Sequence, residues 1–197
     1  DEFAFGMALI EAAKLRKGQT LTEAEITALK NEDEITKAVN RAIDFLSYRP
    51  RSTTEVRQNL EKKQIPESVI ELAIERLQNL GYLDDVAFAR FWIENRDTFK
   101  PMAPRALRYE LRQKGVADGI LEPLFDEIID VEDSAYRAAQ KRIRRLKGTT
   151  KQEFKHKLSG FLQRKGFGYD VILTIINRLY EELEEEDPEY LAISDGD

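Results

Sequence analysis

The residues best equipped for chemistry in this chain are its bases, and they are gathered. Between Arg137 and Lys165 stand Arg137, Lys141, Arg142, Arg144, Arg145, Lys147, Lys151, Lys155, Lys157, Arg164 and Lys165, with Glu153 the one acid among them. Eleven cations against one carboxylate leave this segment at about +10, in a chain whose overall formal charge is −6. Holding that much like charge on consecutive helices costs self-repulsion, which a polyanion or an acidic partner relieves. The bland reading, a solvated helix face, normally brings compensating acids, and here they stand elsewhere. Glu181, Glu182, Glu184, Glu185, Glu186, Asp187, Glu189, Asp195 and Asp197 close the sequence without a base among them.

Two smaller basic sets accompany this one. Arg105, Arg108 and Arg112 are three and four residues apart, one stripe of a helix, within reach of Glu110 and other acids. Arg49 and Arg51 flank Pro50 at a helix stop. Covalent and metal chemistry have no comparable footing. The sequence has one histidine, His156, and no cysteine, which excludes Cys–His catalysis, thiolate metal sites and a disulfide framework. No glycine-rich phosphate cradle occurs. His156 stands among lysines as an ordinary surface residue, and Asp84-Asp85 follows a glycine turn, where helix capping suits it better than acid–base or metal work. Trp92, between Phe88 and Ile93, reads as core and not as a base-stacking platform. We expect no enzyme and no cofactor.

The elements that must position these bases repeat. Val56, Leu60, Lys63, Ile70 and Leu77 correspond to Leu107, Leu111, Lys114, Leu121 and Ile128, and then to Leu158, Leu162, Lys165, Ile172 and Leu179, each step being 51 residues. A spacing kept by mostly apolar positions across two helices marks a repeated supersecondary unit. The fold expected is all-α: an elongated tandem array of three three-helix repeats behind a short strand-containing or helical leader. The expected divisions are a leader over 1–32, repeats over 33–83, 84–130 and 131–183, and an acidic tail over 184–197.

Along the chain, Phe3 and Phe5 alternate with small or polar residues in a short strand pattern, and upstream sequence is expected. Ala8 to Leu15 is helix-forming, Lys17-Gly18 stops it, and Thr22 with Glu25 caps a short helix to about Asn31. The first repeat opens near Asp33 and halts at Arg49-Pro50. Ser52 with Glu55 caps its second helix, and Val69 to Leu80 make its third, ended by Gly81. Met102 to Lys114 is the second helix of the next repeat, and Pro123 falls in the opening turns of its third. After Leu183 the acidic run has nothing to pack, and it is expected to be mobile or at most a frayed helix extension.

With 197 residues, 42% hydrophobic and 35% charged, and no apolar run near the roughly 18 residues of a membrane span, the chain reads as soluble and cytoplasmic.

Phe45-Leu46-Ser47-Tyr48-Arg49-Pro50-Arg51-Ser52, Leu80-Gly81-Tyr82-Leu83-Asp84-Asp85, Glu110-Leu111-Arg112-Gln113-Lys114-Gly115-Val116 and Phe161-Leu162-Gln163-Arg164-Lys165-Gly166-Phe167, taken in order, resemble the RecX family of recombinase regulators. The resemblance covers Asp33 to about Leu183. It implies a curved array of three-helix units that lies in the groove of the RecA–DNA filament. There it would inhibit ATP hydrolysis, strand exchange and co-protease activity, affecting recombinational repair and the SOS response. It supplies no fixed set of functional residues. The contact residues expected from charge are Arg49, Arg51, Arg105, Arg108, Arg112, Arg137, Lys141, Arg144, Arg145, Lys151, Lys155, Arg164 and Lys165. The expected partners are the RecA filament and, as an auxiliary contact, single- or double-stranded DNA, with the protein a monomer. The competing reading is a stand-alone helical DNA-binding protein, since three short helices with a basic member also describe helix-turn-helix modules.

Overall fold

The computed structural model describes Leu15 and residues 18–192. The strand expected around Phe3 and Phe5, the helix over residues 8–14 and the last acids, Asp195 and Asp197, lie outside the described residues. Within them are nine helices: α1 (Glu23–Leu46), α2 (Thr53–Glu61), α3 (Glu67–Asn79), α4 (Asp85–Phe99), α5 (Pro104–Gln113), α6 (Asp118–Ile128), α7 (Val131–Ile143), α8 (Lys151–Arg164) and α9 (Tyr169–Glu186). No strand forms among the described residues. No described helix is long and apolar enough to cross a membrane. The chain divides into two compact units between Phe88 and Ala89.

The 51-residue register is visible in the backbone. Past each second helix the chain takes a positive φ, at Gln64 (58°), Gly115 (77°) and Gly166 (88°), the left-handed region that glycine enters without steric cost. The closing hydrogen bonds repeat too: Ile65 N–H to Leu60 O, Val116 N–H to Leu111 O and Phe167 N–H to Leu162 O. Pro66, Ala117 and Gly168 then occupy the N-cap of each third helix. Leu60, Leu111 and Leu162 are all 0% exposed, as equivalent core positions must be.

In the first unit, Ile35, Val39 and Ala42 of α1 pack with Val56 and Leu60 of α2 and with Ile70, Ala73, Ile74 and Leu77 of α3. Ser52 caps α2 through the box predicted with Glu55, and Thr22 does the same for α1 with Glu25. Asp84 caps α4, accepting from the N–H groups of Val86 and Ala87, while Asp85 accepts from the Thr53 N–H at 2.8 Å and satisfies a donor at the start of α2. Two expectations fail here. The break near Asn31 does not exist: α1 runs unbroken for 24 residues, because no glycine or proline interrupts it and its middle is pinned by Asp33 to Lys37 at 2.6 Å and Glu32 to Arg76 at 2.7 Å. Leu80 lies past the end of α3 and is exposed.

In the second unit, Ala135, Ala138 and Ala139 of α7 pack with Phe154, Leu158 and Leu162 of α8 and with Ile172, Ile175, Ile176 and Leu179 of α9, and Ala103 joins them from the start of α5. Gly166 is needed doubly: a Cβ there would lie 3.1 Å from Ala106 Cβ, on top of the positive φ. Pro123 sits inside α6, beyond its first turn, so that one backbone hydrogen bond of the helix is missing.

Of the stretch after Leu183, expected to be mobile or at most a frayed helix extension, residues 184–192 are described, and they extend the helix and then pack. α9 continues to Glu186, and residues 187–192 fold back onto the loop between α7 and α8. Gly148 N–H donates to Tyr190 O at 2.8 Å and Ala192 N–H to Thr149 O at 3.0 Å, a parallel bridge between Thr150 and Ala192. Tyr190 and Leu191 supply the apolar contact that the acidic composition concealed.

Candidate functional site

The basic residues separate into those that hold the fold and those that face solvent. Arg137 belongs to the first group. Its guanidinium donates to Asp133 at 2.6 Å, to Asp97 Oδ2 at 2.6 Å and to the Asp97 carbonyl, tying α7 to α4, while the buried Ser134 hydroxyl donates to the other Asp97 oxygen. Burial works against its charge, but the two carboxylates more than restore it and raise its pKa. Lys141 donates to Phe99 O at 3.1 Å and Lys165 to Pro101 O at 2.8 Å, so both cations serve carbonyls at and after the C-terminus of α4. Burial, reinforced by Lys100 and Lys141, pushes the Lys165 ammonium below its ordinary range. The gathering of Lys100 with these two lysines was not legible in the sequence, because Lys100 comes from another repeat.

The smaller sets are largely neutralised. Arg49 grips Glu55 through both nitrogens, at 2.8 and 3.2 Å, and so braces the α2 capping box. Arg51 lies over the Phe45 ring at 3.9 Å. Arg108 pairs with Glu122 and Arg112 with Asp118, two of the other acids within reach. Glu110 instead accepts from Trp92 Nε1 at 3.0 Å and Arg96 Nε at 2.8 Å. Trp92 itself is half-buried and flanked by Arg96 and Lys114, rather than part of the core formed around Ile93.

What remains is a set of exposed cations. Arg105, Arg144, Arg145, Lys155 and Arg164 have no ion-pair partner among the described residues, and Lys151 stands over the Tyr180 ring at 3.6 Å. Five of these six lie in the third repeat. Arg144 and Arg145 close α7, Lys151 and Lys155 lie one turn apart on α8, and Arg164 ends it. Arg144 shares a shallow groove with Thr98, Gln140 and Lys141, beside exposed Phe99. His156 is exposed among them. Such an arrangement can attract anions and hold them by charge-assisted hydrogen bonds. It offers no assembled nucleophile–base pair, and no group of three or more His, Asp or Glu residues able to hold a metal occurs among the described residues.

Comparison with known proteins agrees in detail with the three-repeat architecture. Residues 38–77 match the first three-helix domain of RecX, 84–122 the second and 130–176 the third. The regulatory protein RecX of Bacillus subtilis (strain 168) is 33% identical over 198 residues, covering 98% of this chain and 75% of that protein. Its counterpart from Bacillus velezensis is 35% identical, covering 87% and 66%. Among solved structures, a crystal structure of regulatory protein RecX superposes with a TM-score of 0.77 at 26% identity, over 89% of this chain and 90% of that one. RecX from Lactobacillus salivarius gives 0.68 at 28% identity, over 76% and 99%. Three matching domains in order, on one helical scaffold, place this chain in the RecX family of regulatory proteins.

Proposed function

We propose that the chain binds the RecA recombinase filament in the cytoplasm and restrains it, lowering ATP hydrolysis, strand exchange and co-protease activity and so tempering recombinational repair and the SOS response. The observation that supports this most is the combination of family membership with four exposed bases of the third repeat, Arg144, Arg145, Lys155 and Arg164, that have no carboxylate partner among the described residues. A filament of nucleic acid and protein presents phosphates and acidic side chains along its groove, and Arg144, Arg145, Lys151, Lys155 and Arg164 are the residues free to meet them. Arg105 adds to this set from the second repeat. Arg49, Arg51, Arg108, Arg112, Arg137, Lys141 and Lys165 act as supports whose charge is already engaged. The protein works as a monomer, and DNA contact is auxiliary.

The second reading, a stand-alone DNA-binding protein, draws on the same bases. Against it, the exposed cations sit at a helix end and along one helix side, an arrangement suited to phosphates rather than to base edges. Titrating the chain against RecA filaments and against bare single- and double-stranded DNA, with ATP hydrolysis followed in parallel, separates the two. Filament binding tighter than DNA binding, with hydrolysis suppressed, supports the proposal. Equal binding to bare DNA, with hydrolysis untouched, refutes it.

A further inference from the structure

The bases at the junction of α7 and α8 lie beside a stretch of the chain's own acids. Lys147 donates to Asp187 at 2.8 Å and stands 5.7 Å from the Tyr190 ring centre. Asp187 also raises the Lys147 pKa, with Tyr190 and Glu189 adding to the effect. Lys151 and Glu184 line one small cavity with Tyr180 and Pro188. The attachment is local and modest: two backbone hydrogen bonds, one exposed ion pair, the Tyr190 hydroxyl on the Ile143 carbonyl and the packing of Tyr190 and Leu191. A six-residue strap held this way opens at far lower cost than the helices beneath it.

We infer that residues 187–192 are an internal strap that competes with an outside polyanion for the basic end of the third repeat. The inference rests on the reading of Arg144, Arg145, Lys151 and Lys155 as a polyanion-binding surface, and adds that its affinity is set by displacement of the strap. An incoming phosphate chain replaces Asp187 at Lys147. It also moves Glu189 away from the bases, and the bridge at Thr150 opens as it does so. The same carboxylates repel weakly charged competitors, so the strap makes binding depend on a ligand of high charge density.

The test uses a labelled single-stranded oligothymidylate and three proteins: the full chain, a chain ended at Glu186, and a full-length E184Q/D187N/E189Q variant that keeps Tyr190 and Leu191 in place. Circular dichroism checks that all three are folded. Both altered proteins should bind about three- to ten-fold tighter at low salt, the gap closing as salt screens the exposed charges. In the full chain, the oligonucleotide should speed amide exchange at Gly148 and Ala192, the donors of the strap's backbone bonds. Equal affinity of all three proteins, with both amides still protected, overturns the strap alone. No binding by any of them at low salt overturns the polyanion reading and the strap with it.

Discussion

The first and third repeats share a scaffold and differ in what they do with charge. In the first, the cations Lys37, Arg49, Arg57 and Arg76 pair with Asp33, Glu55, Glu67 with Glu71, and Glu32, while Arg41, Lys62 and Lys63 stay exposed. In the third, Arg144, Arg145, Lys155 and Arg164 have no such partners among the described residues. Yet the buried positions correspond one for one: Val56 with Leu158, Leu60 with Leu162, Ile70 with Ile172 and Leu77 with Leu179. The repeat is thus a packing solution, and its outer residues change without cost to the core.

The largest effects should therefore be common to both repeats. Leu60→Ala and Leu162→Ala should each cost about 2–5 kcal/mol in chemical denaturation, because each removes a fully buried side chain from a close-packed site. A cost below about 1 kcal/mol at either position, within the range of a surface change, would break the equivalence. The turn after the second helix sharpens it. Gly166→Ala should lose about 1–3 kcal/mol from its unfavourable φ and the approach to Ala106. Gln64→Gly, at the matching turn, should change stability by no more than about 1 kcal/mol, since relief at φ 58° offsets the glycine's extra chain entropy.

A smaller contrast separates bases within the third repeat. Arg137→Ala should destabilise by about 1–3 kcal/mol, because Asp97 is left half-buried without its partner, whereas Arg144→Ala should stay within about 0.5 kcal/mol. Thermal melts at matched pH and salt would check both. Equal losses would mean that Arg144 is also structural and would remove it from the proposed surface.

The fold was legible because packing leaves a periodic trace. The 51-residue step, the Ser52–Glu55 and Thr22–Glu25 capping boxes and the stop at Gly81 all follow from local rules, and each is found. Three features left no such trace. Gln64 takes a conformation usually reserved for glycine, so the turn it makes was hidden by its residue type. The continuity of α1 depends on Arg76, more than forty residues away, holding Glu32. The strap over residues 187–192 rests on Tyr190 and Leu191, two apolar residues after a run of acids whose composition suggests disorder. The candidate site was only half legible. Charge pointed to the third repeat, where most of the exposed bases lie, but whether a given arginine is free or engaged depends on partners from other helices, such as Asp97 for Arg137 and Glu122 for Arg108, which spacing does not disclose.

A pair of charge reversals assayed for RecA-filament binding across a salt series tests whether the third repeat is the contact face. One, R144E/R145E/K155E, alters the third repeat; the other, R41E/K62E/K63E, alters three exposed bases of the first. We predict that the first reversal weakens filament binding at least about ten-fold at low salt, and that the slope of log affinity against log salt falls by about 0.7 to 0.9 for each phosphate the variant no longer engages. The second reversal should leave affinity within about two-fold of the parent, as expected for charges outside the contact face. Equal weakening by both, or unchanged binding by the third-repeat reversal in a protein of intact helicity, would contradict the assignment of the contact face to the third repeat.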